Sequence, residues 1–256
     1  MPFLQIDGVR LYWKRDGLDH APGLVLLNSI GTDMDLWEPV LGNLSKSFAI
    51  LRLDARGHGA SDAVPGDLTL ARLAQDVLAV ANAGGLARFS LAGVSLGGMI
   101  GMELALRTPD RLDKLALVCT SATMDCNAWA DRVATVRSRG MAAIVDLAMG
   151  RFLSNDADRS IKETVRRQLL SMDPQGYAAC GAAIRDMDLA GRIAAIAAPT
   201  LVVTGHLDTS TPLSGHGEYL LSHIPGARHV ALEAAHLAPL EAAEALARTL
   251  TTFLKS

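Results

Sequence analysis

A serine lies between two glycines in the segment Gly93-Val94-Ser95-Leu96-Gly97, directly after a short apolar run. Small residues on both sides allow a tight turn from a strand into a helix, which places the serine hydroxyl at the helix N-terminus. A hydroxyl held there is a candidate nucleophile for acyl transfer. A serine that only caps the helix is the alternative, although a cap does not require glycine on both sides. We therefore predict that Ser95 is the nucleophile.

A serine nucleophile needs a base, and the base needs a carboxylate that holds it in the correct tautomer. Asp208 lies in the loop after the apolar run 201–204, and His236 follows the last strand-like segment, 227–232. The chain order is therefore Ser, Asp, His, as expected for a serine in a strand-to-helix turn of this kind. Asp208 and His236 are the predicted partners of Ser95.

Four other histidines and one other aspartate compete for these two roles. His229 falls inside a strand pattern, and His206 falls early in its loop. His216 and His223 have the surroundings of surface positions. Asp125 follows the preceding strand and remains an alternative carboxylate for the histidine.

Acyl transfer develops negative charge on the carbonyl oxygen of the substrate, and two backbone N–H groups stabilise it. The residue after the nucleophile, Leu96, is the expected first donor. The second donor comes from a loop after an early strand, which is the place of Asn28-Ser29-Ile30-Gly31-Thr32-Asp33. We predict that the Ile30 N–H is this donor, while an ordinary turn would have a similar composition.

Short apolar runs alternate with helix-length segments, which is typical of a mainly parallel sheet with helices on both faces. Two alternating segments around Asp7-Gly8 predict an antiparallel edge. The predicted strands are 3–6, 10–13, 24–27, 49–53, 89–92, 115–118, 201–204 and 227–232. A closing helix is predicted over 240–254. The predicted fold class is therefore α/β, with an eight-stranded, mostly parallel sheet.

The stretch between the strands that end near residue 118 and begin at residue 201 is too long for an ordinary connection. Its periodicity predicts helices over 128–139, 141–152, 157–172 and 175–185. We predict that residues 123–189 form a helical cap over the carboxyl edge of the sheet, where open α/β sheets bind ligands. Residues 1–122 and 190–256 would then form the core domain.

The 256 residues carry a net charge of −3, which argues against nucleic acid as a partner. The hydrophobic residues form short runs, none approaching the roughly 20 residues that span a bilayer. The first residues do not have the pattern of a secretory signal. Three cysteines form neither an even set nor a CxxC pair. We predict a soluble cytoplasmic protein, monomeric or homodimeric, without a metal or organic cofactor.

The segment Asp54-Ala55-Arg56-Gly57-His58-Gly59-Ala60-Ser61-Asp62 resembles the DxRGxGxS segment that precedes the nucleophile in α/β-hydrolases. With it, the resemblance covers nearly the whole chain. It implies that Asp54, Arg56 and His58 stabilise loops, which makes a catalytic pair of Asp54 and His58 unattractive.

Within the α/β-hydrolases the chain is most similar to the 3-oxoadipate enol-lactonases of the β-ketoadipate route of aromatic degradation. The similar segments are 28–37, 92–101, Trp129-Ala130-Asp131-Arg132-Val133 and His236-Leu237-Ala238-Pro239-Leu240-Glu241. The resemblance implies hydrolysis of an enol-lactone through an acyl-enzyme, on a small anionic lactone or ester. The family tends to have an Asn-Thr-Ala-Ala type of turn where Thr120-Ser121-Ala122-Thr123 stands here, a local departure that leaves the implied reaction class unchanged.

A substrate that carries a carboxylate should meet a cation in the cap, and Trp129 and Arg132 lie three residues apart on one predicted helical face. We predict that they bind substrate; a core role for Trp129 and a solvated Arg132 are the alternatives. The rival functions are a general carboxylesterase, lactonase or cofactor-free perhydrolase acting on small neutral acyl substrates. A hydrolase-like ligand-binding protein is disfavoured, because a complete set of Ser95, Asp208 and His236 is present.

Overall fold

The computed structural model describes residues 3–256. Within them, eight strands form one sheet in the order β1-β2-β4-β3-β5-β6-β7-β8. The strands are β1 (Phe3–Ile6), β2 (Val9–Gly17), β3 (Gly23–Leu27), β4 (Ala49–Leu53), β5 (Phe89–Val94), β6 (Leu112–Val118), β7 (Thr200–Gly205) and β8 (Arg228–Leu232). β2 is antiparallel to β1 and β4, and the remaining pairs are parallel. The predicted eight-stranded, mostly parallel sheet with an antiparallel N-terminal edge is confirmed.

The described residues form ten α-helices. They are α1 (Glu38–Leu44), α2 (Leu70–Ala83), α3 (Leu96–Arg107), α4 (Cys126–Arg139), α5 (Val145–Phe152), α6 (Arg159–Ser171), α7 (Pro174–Arg185), α8 (Glu218–His223), α9 (Ala238–Glu241) and α10 (Ala243–Lys255). None of these helices has the length and apolar character that crossing a membrane requires.

Strand order reverses at β3, and this reversal divides the helices into two layers. The chain passes from β3 to β4 in one direction along the sheet and returns past β3 to β5 in the other. Because parallel crossovers are right-handed, α1 and α2 lie on opposite faces. α10 packs beside α1, and α3 packs beside α2. The loops after β3 and β5 therefore face each other across the crevice in which open α/β sheets bind ligands.

The three central strands β3, β4 and β5 are buried over their whole length. Helices cover both faces of these strands, which explains why the sequence shows continuous apolar runs rather than alternation. β4 also contains Arg52, a buried cation whose Nε donates to Asp16 at 2.8 Å. The core thus provides a rigid platform for the loops at its carboxyl edge.

Helices α4 to α7 occupy the segment that the sequence assigns to a cap. Asp125, Asp158 and Asp173 precede three of them, and each side chain accepts hydrogen bonds from N–H groups of the first helical turn. These caps set the helix starts one or two residues away from the predicted positions. The division into a core of residues 1–122 and 190–256 and a cap of residues 123–189 stays a prediction.

Two predicted helices are each broken into two pieces. The helix predicted over 141–152 is interrupted at Ile144, which separates a short 3-10 turn, Met141–Ala143, from α5. The helix predicted over 240–254 is interrupted at Ala242, whose φ of −131° and ψ of 40° separate α9 from α10. Apolar residues continue at helical spacing on both sides of Ile144 and Ala242, so periodicity alone did not reveal the two breaks.

One backbone contact brings α7 against the core. A Cβ atom added to Gly176 in α7 would lie 2.4 Å from the Cα of Gly57, and Gly57 itself has a φ of +71°. Neither position has room for a side chain. The loop around Gly57 therefore holds the start of α7 directly above the sheet edge.

We expect the substitution Gly176→Ala to destabilise the protein by about 1–3 kcal/mol, because overpacking forces the backbone apart. The matched control is Gly150→Ala in α5, where an added Cβ would meet nothing within 4 Å. This control should stabilise the protein by up to about 1 kcal/mol through helix propensity. Urea unfolding measures both changes, and equal effects of the two substitutions would contradict the close contact.

Candidate active site

Ser95 forms the turn between β5 and α3. It has a φ of 55° and a ψ of −115°, a region that non-glycine residues rarely occupy. A Cβ at Gly93 would lie 2.3 Å from the carbonyl carbon of Gly97, and a Cβ at Gly97 would lie 2.5 Å from the carbonyl oxygen of Leu27. The turn therefore requires both glycines, which is the geometric reason for the spacing in the sequence.

Hydrogen bonds hold the strained residue in place. The Ser95 N–H donates to the carbonyl of Val118 at 3.0 Å, and the Thr120 hydroxyl donates to the carbonyl of Ser95 at 2.6 Å. The Ser95 side chain makes no capping hydrogen bond to α3. The hydroxyl group is thus not used as a helix cap, which was the alternative explanation for a serine at this position.

Asp208 and His236 meet at the ends of β7 and β8. The Nδ1 atom of His236 lies 3.0 Å from Oδ2 of Asp208, and both residues are buried. A carboxylate acceptor at Nδ1 places the proton of a neutral imidazole on that nitrogen. The lone pair is then on Nε2, the atom that a base uses.

His236 and two backbone N–H groups keep Asp208 ionised. Burial acts to raise the pKa of Asp208, but the nearby His236 and its hydrogen bond, together with N–H groups of Ser210 and Thr211, hold that pKa below its usual value. The Thr211 hydroxyl also donates to Oδ2 at 2.9 Å. The carboxylate therefore remains charged and able to orient His236.

Cap and core both fix the loop of His236. The ring of Phe152, the last residue of α5, stacks on the imidazole with ring centroids 5.7 Å apart. The Leu237 N–H donates to the Phe152 carbonyl at 3.0 Å. Glu241 accepts from the N–H groups of Ala235 and Ser154, at 2.8 and 3.0 Å. The base is thus held in one orientation from both sides.

The predicted oxyanion donors lie on two adjoining loops. The Gly97 N–H donates to the Asn28 carbonyl at 3.0 Å, which joins the loop after β3 to the start of α3. Within residues 3–256, neither the Ile30 N–H nor the Leu96 N–H donates to a protein acceptor. Both residues are buried. Two N–H groups without acceptors on facing loops have the character of an oxyanion site.

The competing histidines are engaged elsewhere. His206 is exposed and pairs with Glu233, and Nε2 of His229 lies 2.9 Å from the Thr204 hydroxyl. His223 is exposed and stacks on a tyrosine ring of its own helix, as a surface position does. The surface prediction is wrong for His216, which is half-buried.

His216 belongs to the edge of the same site. Its Nδ1 atom lies 2.8 Å from the hydroxyl of Ser121, just after β6. Burial lowers the pKa of His216, and Asp208 acts in the opposite direction. A turn that the sequence pattern did not reveal, Leu213–Gly217, carries the histidine inward.

The alternative carboxylates have other partners. Asp125 accepts from the N–H groups of Asn127 and Ala128 at the start of α4, as an N-cap does. Asp54 accepts from the N–H groups of Met34 and Ala60, and burial raises its pKa to about 6. Within residues 3–256, neither aspartate forms a hydrogen bond with a histidine. Among residues 3–256, no group of His, Cys, Asp and Glu side chains is arranged to hold a metal ion.

Trp129 and Arg132 lie together on α4. The guanidinium carbon of Arg132 is 4.9 Å from the centre of the Trp129 ring, and the ring packs against α7 at Gly181. Nη2 of Arg132 is buried and has no hydrogen-bond partner in the described part of the chain. Trp129 is thus a core residue of the cap that also supports the cation.

Tyr177 on α7 lies beside the loop after β3, and the sequence did not indicate it. Its side chain is fully buried, and its hydroxyl group has no hydrogen-bond partner among residues 3–256. Burial raises the pKa of Tyr177, while the nearby Arg132 opposes that shift. The ring edge of Tyr177 lies 3.5 Å from where a Cβ of Gly31 would be. It therefore faces the loop after β3, residues 28–33, which we call the oxyanion loop.

Comparison with known proteins gives consistent results. A family model described as alpha/beta hydrolase fold matches residues 22–141. A 3-oxoadipate enol-lactonase of Acinetobacter baylyi is 27% identical over 98% of this chain and 96% of its own length. Other relatives are esterases and proteins named as putative carbamate hydrolases.

Two solved structures are similar over nearly their whole length. The enol-lactonase of Burkholderia xenovorans LB400 is 35% identical with a TM-score of 0.96, and the match covers 100% of both chains. A hydrolase of Pseudomonas aeruginosa PA01 is 39% identical with a TM-score of 0.94, and the match covers 99% of this chain and 98% of that one.

Reactivity toward a fluorophosphonate tests the assignment of the site. We expect the probe to label Ser95, and Asp208→Asn to slow labelling roughly 100-fold or more, because an amide partner favours the wrong tautomer of His236. Asp125→Ala should remove only a helix cap, which costs about 1 kcal/mol of stability and leaves the labelling rate unchanged. Mass spectrometry of the labelled peptide gives both rates. Slow labelling of Asp125→Ala together with normal labelling of Asp208→Asn would instead assign to Asp125 the carboxylate that orients the histidine.

Proposed function

This chain belongs to the α/β-hydrolase family, and from that premise we propose that it hydrolyses the enol-lactone of 3-oxoadipate or a closely related lactone that carries a carboxylate. Ser95 is the nucleophile, His236 the base and Asp208 the group that orients the base. The relatives named as enol-lactonases support the reaction, and the 3.0 Å contact between His236 and Asp208 supports the residue roles.

In the first half of the reaction, Nε2 of His236 takes the proton of the Ser95 hydroxyl while Oγ attacks the lactone carbonyl. The N–H groups of Ile30 and Leu96 stabilise the oxyanion. Collapse of the tetrahedral intermediate breaks the ring C–O bond. The product is an acyl-enzyme whose far end is an enolate, which takes the proton from His236 and ketonises.

In the second half, His236 takes a proton from a water molecule whose oxygen attacks the acyl carbonyl. The new oxyanion uses the same two N–H donors. Its collapse breaks the bond to Oγ, and the proton on His236 returns to Ser95. The free keto acid leaves, and every proton is accounted for by His236 and water.

The observation that carries the substrate proposal is the pair of unpartnered donors in the cap. A buried polar group without a partner costs about 1–3 kcal/mol, and more when it is charged, so a ligand that supplies the missing acceptor recovers that free energy on binding. Nη2 of Arg132 is a cationic donor, and the Tyr177 hydroxyl is also able to donate. A carboxylate suits both, because it only accepts hydrogen bonds.

A general carboxylesterase or lactonase for neutral acyl substrates is the second candidate. The relatives that are esterases favour it, and it would use the same Ser95, Asp208 and His236. The two candidates differ in the cap, because a neutral substrate leaves Arg132 without an anionic partner. A ligand-binding protein without turnover would not require the arranged base and carboxylate.

Loss of ultraviolet absorbance of the enol-lactone measures the proposed activity. We expect kcat/KM to be at least about 100-fold higher for the carboxylate-bearing enol-lactone than for a neutral γ-lactone or p-nitrophenyl acetate, given that a charged hydrogen bond contributes about 1.5–3 kcal/mol and two donors are available. Ser95→Ala should abolish turnover of all three. Equal values for the three substrates would support the neutral esterase instead.

Replacement of Arg132 tests whether this residue binds the carboxylate of the substrate. We expect Arg132→Ala to raise KM for the anionic lactone about tenfold or more and to change KM for p-nitrophenyl acetate little. Tyr177→Phe should act in the same direction with a smaller effect, because it removes a neutral donor. The matched control is Arg139→Ala, an exposed arginine on the same helix. An equal effect of Arg132→Ala on both substrates would exclude an ion pair with the substrate.

A further inference from the structure

His58 lies between the oxyanion loop and the cap, and the proposed reaction does not use it. The residue is 1% exposed. Its Nε2 atom accepts a hydrogen bond from the Gly31 N–H at 3.1 Å, and its Nδ1 atom lies 3.1 Å from the carbonyl oxygen of Arg56. Both ring nitrogens are thus satisfied by the backbone.

These two partners allow only one form of the imidazole. The Gly31 N–H can only donate, so Nε2 must carry a lone pair, and the Arg56 carbonyl can only accept, so Nδ1 must carry the proton. Burial favours this neutral form as well, since it lowers the pKa of His58 to about 4. The ring is a fixed acceptor aimed at the loop after β3.

Gly31 directly follows Ile30, the proposed oxyanion donor. It has a φ of +83°, and an added Cβ would lie 2.8 Å from a methyl group of Leu169. The Thr32 N–H closes the turn by donating to the Ser29 carbonyl at 3.2 Å. The bond to His58 restrains the peptide plane between Ile30 and Gly31. This plane is joined through the Cα of Ile30 to the peptide plane that carries the Ile30 N–H, and the turn closed by Thr32 and Ser29 limits rotation between the two.

The opposite side of His58 contacts the cap. Sγ of Cys180 in α7 lies 3.9 Å from Nδ1 of His58 and 3.5 Å from the carbonyl of Arg56. In the same loop, Gly57 packs backbone to backbone on Gly176 of α7. The loop of His58 is thus held from above by α7 while its imidazole holds the oxyanion loop below.

We propose that His58 is a positioning residue for the oxyanion hole. Through Nε2 it holds the Gly31 N–H so that the adjacent Ile30 N–H points at the reacting carbonyl, and the contacts with α7 hold His58 itself in place. This inference rests on the proposed acyl-transfer function. It assigns to one residue of the DxRGxGxS-like segment a role in the reaction rather than in stability alone.

Two polar variants of His58 distinguish a role in positioning the oxyanion loop from a role in packing alone. In His58→Gln the terminal amide reaches the place of Nε2 and its oxygen accepts from Gly31. In His58→Asn the shorter side chain reaches the Arg56 carbonyl but not Gly31. We expect kcat for p-nitrophenyl acetate to fall about 10- to 100-fold in His58→Asn and to be largely restored in His58→Gln, because a displaced donor loses most of its effect on the transition state. KM should change little in either variant.

The matched control is Ser61→Ala in the same loop. The Ser61 hydroxyl donates to the Asp54 carbonyl at 2.8 Å and accepts from the Tyr12 N–H at 2.8 Å, away from Gly31. This variant should lower Tm and keep kcat. Equal kcat values for His58→Asn and His58→Gln, or a loss in Ser61→Ala as large as in His58→Asn, would overturn the proposal.

Amide hydrogen exchange provides a readout that does not depend on turnover. The Gly31 N–H should be protected in the wild type and in His58→Gln and should exchange faster in His58→Asn. Equal protection of Gly31 in all three proteins would overturn the proposal whatever the activity. If the wild type hydrolyses no ester and Ser95 resists the fluorophosphonate, the proposed function fails, and with it the role in catalysis, while altered exchange would still identify the hydrogen bond.

Discussion

The backbone at Ser95 is the constraint on which the site depends. A non-glycine residue with a φ of 55° stores strain of about 1–3 kcal/mol, which persists only where the surroundings determine the conformation. Here the fully buried strand β5, the two flanking glycines and the hydrogen bonds to Val118 and Thr120 do so. The same turn places Leu96 directly after Ser95 at the start of α3, so one local geometry holds the strained residue, the proposed nucleophile and one proposed oxyanion donor.

The other groups reach this turn from distant parts of the chain because the sheet brings them there. The reversal of strand order at β3 places the loop of Ile30 beside that of Ser95, and β7 and β8 carry Asp208 and His236 to the same edge. Rigid strands set the positions, and loops supply the chemistry. Helices α5 and α7 complete the arrangement, because Phe152 of α5 stacks on His236 and Cys180 of α7 contacts His58.

The buried polar groups of the site differ in whether their atoms have hydrogen-bond partners. Asp208 and His58 have every polar atom directed at a partner, and they are the groups that need a fixed orientation. Arg132 and Tyr177 each keep a buried donor free. Satisfied groups rigidify a site, whereas unsatisfied donors cost free energy until a ligand accepts from them. In the proposed function, this contrast separates the groups that orient the reacting residues from the groups that would bind the substrate carboxylate.

The sequence by itself determined the fold class, the strand positions and the order of Ser95, Asp208 and His236, because periodicity, glycine spacing and loop position are local properties. It also indicated Ile30 and Leu96 as candidate oxyanion donors, because both residues lie just after strand ends. Only the tertiary structure decided that Asp125 caps a helix, that His216 turns inward, and that the helix breaks occur at Ile144 and Ala242. It alone revealed the surroundings of Tyr177 and the contacts of His58, because an unpartnered hydroxyl or a histidine between two loops is defined by contacts between segments far apart in the chain, which no local pattern records.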